Sequence, residues 1–496
     1  MIRKVYQSPA GGRSPGVPQL SVIGRLPSPI IYLVAVVATK GMSLVTLPIM
    51  AVYLPPTAYG QYDVAVSFVE FILLILGLAI GPTLIRFAST ATTDADKRRC
   101  ARELLGTLLG LVVVAGAPAV IFGPYLLDSL GIETEHTAMR VLIAGSTVAA
   151  IVELPLVWLR LKDKAMVFFA VVMARTLAQA LLMWLALSHG YGVAGLMITN
   201  GSVLIALAVV LALMQIRDTG ISVSHRALMQ IIGFGVPIVG ADLALFGLGN
   251  ANRLFMPGHV PSDVIAHFGL AMRFALVMSL ATSPFDLWWM PKRIAILQKP
   301  GGFEESARMW SIALAIVVLA GAAVALGGPI IVHVVLPASY VGINDYLAPL
   351  VAIQSLHILT IFTNVGSYAR ANGGYVFAIE VTSALIAVAG YLILIPMMGV
   401  YGAIVSMAAG QVVRFMLHLR FGYELAPLPY PWMSAVIITA ATVVLVAIAP
   451  PHEWLGWRFL YSGVVLFILL FLIVATGLVK MPDEIWQRLR ARVGYQ

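Results

Sequence analysis

The sequence predicts an all-α integral membrane protein with fourteen transmembrane helices. Of its 496 residues, 60% are hydrophobic and 11% are charged, whereas a soluble domain usually carries about 25% charged residues. An α-helix needs about 20 apolar residues to cross the hydrocarbon core, and segments of this length follow one another along most of the chain. The loops between them are short, so we expect no soluble catalytic domain.

The predicted helices follow the apolar segments in chain order. The first six form one group, the next six form a second group, and two more follow. The predicted ranges are 30–53, 62–85, 104–127, 138–159, 165–187, 193–215, 229–256, 265–289, 307–335, 345–368, 376–396, 400–419, 432–450 and 457–479.

The distribution of basic residues predicts the orientation, because Lys and Arg concentrate in the short cytoplasmic loops of membrane proteins. With the amino terminus inside, most of the 31 basic residues fall in cytoplasmic segments, and only Arg140 and Arg458 fall on the other side, both at helix edges. Both termini are therefore predicted to be cytoplasmic. The first 29 residues are basic and lack the apolar core of a cleavable signal peptide, so we interpret them as a cytoplasmic tail.

Composition also excludes several function classes. Cys100 is the only cysteine, so no internal disulfide and no cysteine metal cluster can form within one chain. The net charge of +9 comes from the loops between apolar spans, which is typical of membrane topology and not of nucleic-acid binding. We expect no cofactor, no metal site and no nucleic-acid partner.

Two glycine-rich turns predict an internal duplication. One turn, at 190–195, joins the fifth and sixth predicted helices, and the other, at 396–403, joins the eleventh and twelfth. Six helices per half make the repeats parallel, and transporters of this type bind substrate between the halves. The predicted units are a tail at 1–29, an N-lobe at 30–228, a C-lobe at 229–420, two further helices within 421–479 and a tail at 480–496.

Short sequence motifs that resemble those of a known transporter family occur along nearly the whole chain. They are Lys40-Gly41, Pro48, Leu54-Pro55, Tyr59-Gly60-Gln61-Tyr62, Arg86-Phe87, Asn252-Arg253, Phe268-Gly269, Ala271-Met272-Arg273 and the turn at 396–403. With the six-plus-six-plus-two layout, the chain resembles the polysaccharide flippases (Wzx-type) of the multidrug/oligosaccharidyl-lipid/polysaccharide (MOP) exporter superfamily. Asn252 and Phe268 depart from the family pattern, which has an acidic residue and a tyrosine there.

The resemblance implies a V-shaped, two-lobed transporter of the bacterial inner membrane and not an enzyme. Its implied cargo is an oligosaccharide linked to polyprenyl pyrophosphate, such as undecaprenyl pyrophosphate. Moving this cargo to the outer leaflet serves cell-surface polysaccharide biosynthesis, and the product can be an exopolysaccharide, a capsule or an O-antigen. The implied partners are the lipid-linked substrate, the bilayer, a polysaccharide polymerase and glycosyltransferases, and we expect a monomer.

Cationic residues inside the predicted helices are candidates for substrate binding, because an ionised group in the bilayer is costly and seldom faces lipid. Arg offers paired donors to phosphate, and Lys offers a compact charge. We expect Lys40, Arg175, Arg253 and Arg273 to line a central cavity and to hold the pyrophosphate, with Arg86 at its cytoplasmic mouth. The alternatives are pairing of Lys40 with Glu70 and of Arg273 with Asp242, and extension of Arg253 and Arg86 to the interface.

Acidic residues suggest a second role in the same helices. Glu70, Glu153 and Asp242 are candidates for binding H⁺ or Na⁺ and so coupling transport to an ion gradient, because burial raises the pKa of a carboxylate. Structural ion pairing is the alternative for each. Glu380 is predicted to meet water or the basic pair Lys292 and Arg293.

His357 is predicted to make a hydrogen bond between helices and not to bind a ligand. Two other functions would suit the same composition. A drug or cation exporter of the same superfamily would share the fold, but its cavity should be acidic. A membrane glycosyltransferase or ligase would need a sizeable catalytic loop, which this chain lacks.

Overall fold

The computed structural model describes residues 28–129, 131–132, 135–368, 374–451 and 454–479. Across these residues the chain forms fourteen long helices, which confirms the predicted fold class. The first six are α1 (Ser28–Tyr53), α2 (Pro56–Gly77 and Ile80–Ser89), α3 (Asp94–Ser129), α4 (His136–Leu161), α5 (Ala165–Ser188) and α6 (Gly192–Thr219). The next six are α7 (His225–Gln230, Ile231–Gly235 and Val236–Gly249), α8 (Ser262–Leu276 and Met278–Trp289), α9 (Gly302–Val335), α10 (Asn344–Thr363), α11 (Gly374–Met398) and α12 (Val400–Leu425). The last two are α13 (Trp432–Ala447) and α14 (Leu455–Ala475).

Most of these helices have the length and composition of membrane spans. Twelve helical segments in the described part of the chain are long and apolar enough to cross a bilayer. Helix α1 has 26 residues, whereas the apolar helix α13 has only 16. The protein is therefore a multi-pass membrane protein.

Helix α2 is broken, although the sequence pattern predicts one continuous helix over 62–85. Leu78 and Ala79 both adopt a φ of 47°, a left-handed conformation that is uncommon for residues with a side chain. Pro82 lies just beyond the break and has no backbone N–H to continue the helical hydrogen bonds. The carbonyl of Leu78 lies so close to Gly235 of α7 that a Cβ on Gly235 would collide with it.

Helix α7 is also irregular near this contact. Residues Ile231–Gly235 form a π-turn in which the N–H of Val236 bonds to the carbonyl of Ile231. Pro237 follows at once, and a proline inside a helix removes one backbone hydrogen bond and loosens the turn before it. The interruptions of α2 and α7 therefore meet at the same depth, on facing elements of the two halves.

Helix contacts in the two halves correspond when the helix number is raised by six. Helix α1 packs on α5 as α7 packs on α11, and α2 packs on α4 as α8 packs on α10. The same shift relates the pairs α3–α4 and α9–α10, α4–α6 and α10–α12, and α5–α6 and α11–α12. We name the α1–α6 half the N-lobe and the α7–α12 half the C-lobe, and α13 and α14 pack on α9 outside both.

Helices α2 and α8 form the main contact between the lobes. They approach closely at the end that the charge pattern assigns to the outside, because Gly60 of α2 lies directly against the carbonyl of Ser262. Near the same end, the Tyr340 hydroxyl donates a 2.8 Å hydrogen bond to the carbonyl of Leu54. The outer ends of the lobes are therefore held together in this structure.

Close packing of α4 and α6 depends on glycine, which gives a test of the N-lobe. A Cβ on Gly145 would collide with the backbone of Gly201, and overpacking of this kind costs about 1–3 kcal/mol. We expect Gly145→Ala to lower the unfolding temperature of the purified protein in detergent. Gly110→Ala is the matched control, since a Cβ at Gly110 meets open space. Equal unfolding temperatures for the two variants would contradict this packing.

Candidate functional site

A buried carboxylate lies between two arginines at the contact of the lobes. Asp63 of α2 places Oδ2 2.8 Å from Nε of Arg253 and Oδ1 2.9 Å from Nη2 of Arg273. The side chains of Asp63 and Arg253 are 2% and 8% exposed, whereas that of Arg273 is 33% exposed. We name these three residues the Asp63 cluster. It ties an N-lobe helix to two C-lobe elements and leaves one guanidinium partly open.

Local structure explains why the three groups meet. Asp63 lies two turns into α2, Arg253 lies on the short helix Asn252–Phe255 after α7, and Arg273 lies three turns into α8. Gly269 faces Asp63 so closely that a Cβ would collide with the carboxylate. The guanidinium of Arg273 also lies 5.5 Å from the ring centre of Tyr59.

The structure corrects two expectations about these arginines. Arg273 does not pair with Asp242, because Asp63 is its partner. Arg253 does not extend to the membrane interface, because it is buried against Asp63 and places Nη2 3.5 Å from the sulfur of Met272. The cluster holds two positive charges and one negative charge, so it carries a net charge of +1.

The sequence pattern did not single out Asp63. The predicted helix over 62–85 put Asp63 at a helix end, where a charge needs no explanation, whereas α2 begins at Pro56. The motif Tyr59-Gly60-Gln61-Tyr62 directly before Asp63 was the available signal.

The acidic candidates lie on helices at the boundary between the lobes. Glu70 follows Asp63 by two helical turns on α2, has an exposed side chain and lies within electrostatic range of all three members of the Asp63 cluster. Glu153 of α4 is exposed and packs against Gly81 of α2. It lies within electrostatic range of Asp242 on α7, across the lobe boundary.

Arg175 is a cation without a counter-ion among the described residues. It lies on α5, partly buried, and makes no ion pair or side-chain hydrogen bond with the part of the chain that the structure describes. Its helix packs against α1, which carries Lys40. At 1.5 Å per residue, Arg175 and Lys40 lie about 15 Å and 18 Å from the starts of their helices. The Lys40 side chain lies outside the described residues, so its pairing with Glu70 stays a prediction.

Arg86 lies at the end of α2 that the charge pattern assigns to the cytoplasm. Its side chain is exposed, and the guanidinium carbon lies 5.9 Å from the ring centre of Phe234 on α7. The neighbouring Phe87 packs edge-on against the same ring, with centroids 6.0 Å apart. Arg86 is therefore positioned at the seam between α2 and α7.

A second buried ionic cluster lies inside the C-lobe and was not expected. Arg414 of α12 contacts Glu380 of α11 through two atom pairs, Nε–Oε2 at 2.7 Å and Nη2–Oε1 at 2.9 Å. Nε2 of His418 lies 3.3 Å from Oε1 of Glu380. His357 Nδ1 accepts a 3.1 Å hydrogen bond from Nε2 of Gln411. These groups lie within one lobe, so we interpret the cluster as structural.

This cluster corrects one prediction and confirms another. Glu380 does not meet water or the basic pair at 292–293, because it is 7% exposed and paired with Arg414. Arg293 instead donates a 2.8 Å hydrogen bond to Asn364. The interhelical hydrogen bond predicted for His357 is confirmed. Arg414 lies within the predicted helix at 400–419 and could have been found there by the same rule that singled out Arg175.

In the Asp63 cluster, loss of the acid should destabilise the protein more than loss of one base. Asp63→Asn leaves the buried guanidinium of Arg253 and the partly exposed guanidinium of Arg273 without the carboxylate that pairs with both. Loss of one partner of a buried pair costs about 3–5 kcal/mol. Arg273→Gln leaves the Asp63–Arg253 pair intact. We therefore expect Asp63→Asn to lower the unfolding temperature in detergent much more than Arg273→Gln. The cluster would be dispensable for stability if Asp63→Asn unfolded at the wild-type temperature.

Comparisons with solved structures bear on the fold. The chain is similar to the lipid II flippase MurJ in an inward closed conformation, at 12% identity and a TM-score of 0.69, with 89% of this chain and 98% of that chain covered. It is also similar to an inward-facing multidrug resistance MATE family transporter of the MOP superfamily, at 17% identity and a TM-score of 0.59, covering 78% and 95%. At these identities the likeness shows a shared fold.

Sequence comparisons identify the family. No curated protein sequence matches the chain significantly. A family model described as "Polysaccharide biosynthesis protein" matches residues 28–285, which is slightly more than half of the 496 residues. The match covers the N-lobe, α7 and most of α8, and it therefore includes all three members of the Asp63 cluster. The chain belongs to this polysaccharide biosynthesis family and has the fold of the MOP superfamily transporters.

Proposed function

We propose that this protein is a flippase for polyprenyl-pyrophosphate-linked oligosaccharide repeat units. It moves them from the cytoplasmic to the outer leaflet by alternating access through a central cavity between the lobes. The family match and the likeness to flippase and exporter folds support this proposal. The observation that carries it is the Asp63 cluster, in which two arginines of one lobe are held by a single carboxylate of the other.

In this mechanism the carboxylate of Asp63 occupies the place that a phosphate takes during transport. A diphosphate bears more negative charge than one carboxylate, and it offers oxygens to both guanidiniums at once. It can therefore compete with Asp63 for Arg273, whose side chain is already one third exposed. Displacing Asp63 weakens the contact between α2 and α8, so binding of the cargo is coupled to separation of the outer ends of the lobes.

The remaining cations define a route to this cluster. Arg86 meets the diphosphate at the cytoplasmic mouth, and Lys40 and Arg175 stabilise it near the middle of the membrane. Arg175 supports this role because it has no counter-ion among the described residues and is costly to leave inside a membrane without a partner. Arg253 and Arg273 then hold the diphosphate closest to the outside.

The wider assignment follows from the same proposal. We place the protein in the bacterial inner membrane with both termini in the cytoplasm, as a monomer that acts beside glycosyltransferases and a polysaccharide polymerase. Its functional units are the N-lobe (α1–α6) and the C-lobe (α7–α12), with the α13–α14 pair attached to the C-lobe. The boundary between the lobes lies before His225, slightly earlier than the predicted boundary at 228–229.

Ion coupling is a second part of the proposal. Glu70 is exposed near the Asp63 cluster, and Glu153 and Asp242 approach each other across the lobe boundary. Binding of H⁺ or Na⁺ at either carboxylate would remove the repulsion between Glu153 and Asp242 across the lobe boundary. The same acids also suit an exporter of cations, which is the alternative function.

Neutral replacement of the arginines tests the cargo. We expect Arg273→Gln, Arg253→Gln, Arg175→Gln and Lys40→Ala each to reduce flipping of a fluorescent polyprenyl-diphosphate sugar in proteoliposomes about tenfold or more, since charge-assisted hydrogen bonds contribute about 1.5–3 kcal/mol. Arg420→Gln is the matched control, because Arg420 is exposed and its Nε lies 3.6 Å from Oε1 of the exposed Glu424, outside the proposed route. Wild-type flipping by both Arg273→Gln and Lys40→Ala would remove the proposed diphosphate site.

Dissipation of ion gradients tests the coupling. We expect flipping to depend on one of the two gradients, proton or sodium, so that an ionophore that collapses this gradient slows flipping. We expect a Glu153→Gln, Asp242→Asn double variant to lose this sensitivity. The double variant removes both carboxylate charges and keeps the volume of both side chains. Flipping that is unaffected by collapse of both gradients would rule out ion coupling.

A further inference from the structure

A polar cavity lies at the cytoplasmic end of the seam between the lobes. It has a volume of about 270 Å³ and is lined by the end of α2, the start of α3 and the start of α7. Small-molecule pockets usually measure about 300–1,000 Å³, so this cavity has room for one small ring and not for a long chain. We name it the mouth cavity.

The charges of the mouth cavity are balanced, and one arginine and one carboxylate form an ion pair. Nε of Arg99 lies 2.8 Å from Oε1 of Glu103, and Asp96 accepts a 2.6 Å hydrogen bond from the hydroxyl of Thr93 at the start of α3. Arg226 forms no ion pair with the described residues. Two arginines and two carboxylates therefore line the cavity, with a net charge of zero.

This balance favours a neutral polyhydroxyl ligand over a phosphate. An anion site needs an excess of donors and positive charge, whereas a sugar hydroxyl donates and accepts at the same time. The cavity offers acceptors on Glu103, donors on Arg226 and both on the amide of Gln230. Phe87 adds an apolar ring that can cover the C–H face of a sugar.

The position of the cavity relates it to the proposed diphosphate route. Phe87 lines the cavity, and the residue before it is Arg86, the predicted cation of the cytoplasmic mouth. Both side chains contact the ring of Phe234 on α7. A headgroup whose diphosphate meets Arg86 therefore brings its first sugar next to the cavity.

We propose that the mouth cavity binds the sugar that is joined directly to the diphosphate of the cargo. This inference rests on the proposed flippase function and adds a site that selects the glycan before translocation. Gln230 and Arg226 come from the C-lobe, whereas Phe87 and Glu103 come from the N-lobe. The site is therefore complete only while the cytoplasmic ends of the lobes stay together, and sugar binding stabilises that state.

Binding of free sugars tests the site without transport. Saturation-transfer NMR on the full-length protein in nanodiscs, with methyl glycosides of glucose, galactose, mannose, rhamnose and N-acetylglucosamine as probes, should detect binding of at least one. Gln230→Leu and Arg226→Met keep side-chain size and remove the polar groups, so we expect each to weaken that binding about fivefold or more. Arg420→Met is the matched control. Absence of binding to the wild type, or equal binding by all four proteins, would overturn the inference.

Flipping of two lipids separates this inference from the proposed function. One lipid is a polyprenyl diphosphate that bears the single sugar found by NMR, and the other is the same diphosphate without a sugar. The proposed function fails if the wild type flips neither. Our inference predicts that Gln230→Leu and Arg226→Met reduce the ratio of flipping rates, sugar-bearing over bare, about fivefold, and an unchanged ratio would overturn it.

Discussion

The architecture depends on how one carboxylate is buried between two arginines. An unpaired ion in a medium of low dielectric constant is strongly destabilised, and burying even a paired one carries a large desolvation cost. Asp63 is paired with two arginines at once only because α2 and α8 lie close enough for its oxygens to reach Arg253 and Arg273 together. The closed outer end of the lobes and the net positive charge of the cluster therefore arise from the same contact.

Glycine makes such contacts feasible in a protein with little apolar driving force between its helices. Helices in lipid associate through close packing and polar contacts, and small residues let their backbones approach. Gly60 and Gly269 provide this approach between the lobes, and Gly145 and Gly201 provide it within the N-lobe. The inner faces of the helices are therefore specified by small residues as much as by large apolar ones.

The hydropathy pattern was sufficient for the number, order and grouping of the helices, because apolar length and loop charge are local properties of the sequence. The break at Leu78 was not predicted, since it depends on how the facing backbones of α2 and α7 pack. The site was predicted in part. Arg253 and Arg273 were identified as charges that need a partner, but the choice of Asp63 over Asp242 depends on the crossing of α2 and α8, which hydropathy does not report.

The shortness of α13 has a consequence for the surrounding lipid. Sixteen residues extend about 24 Å, which is about 6 Å less than the hydrocarbon thickness of a typical bilayer. Trp432 at its start packs with Trp310 and Tyr430, and such aromatic groups hold a helix end at the headgroup level. Because one end of α13 is held at the headgroup level, the helix cannot shift along the membrane normal to reduce the difference in length. We therefore expect the bilayer to be thinner along this edge of the protein.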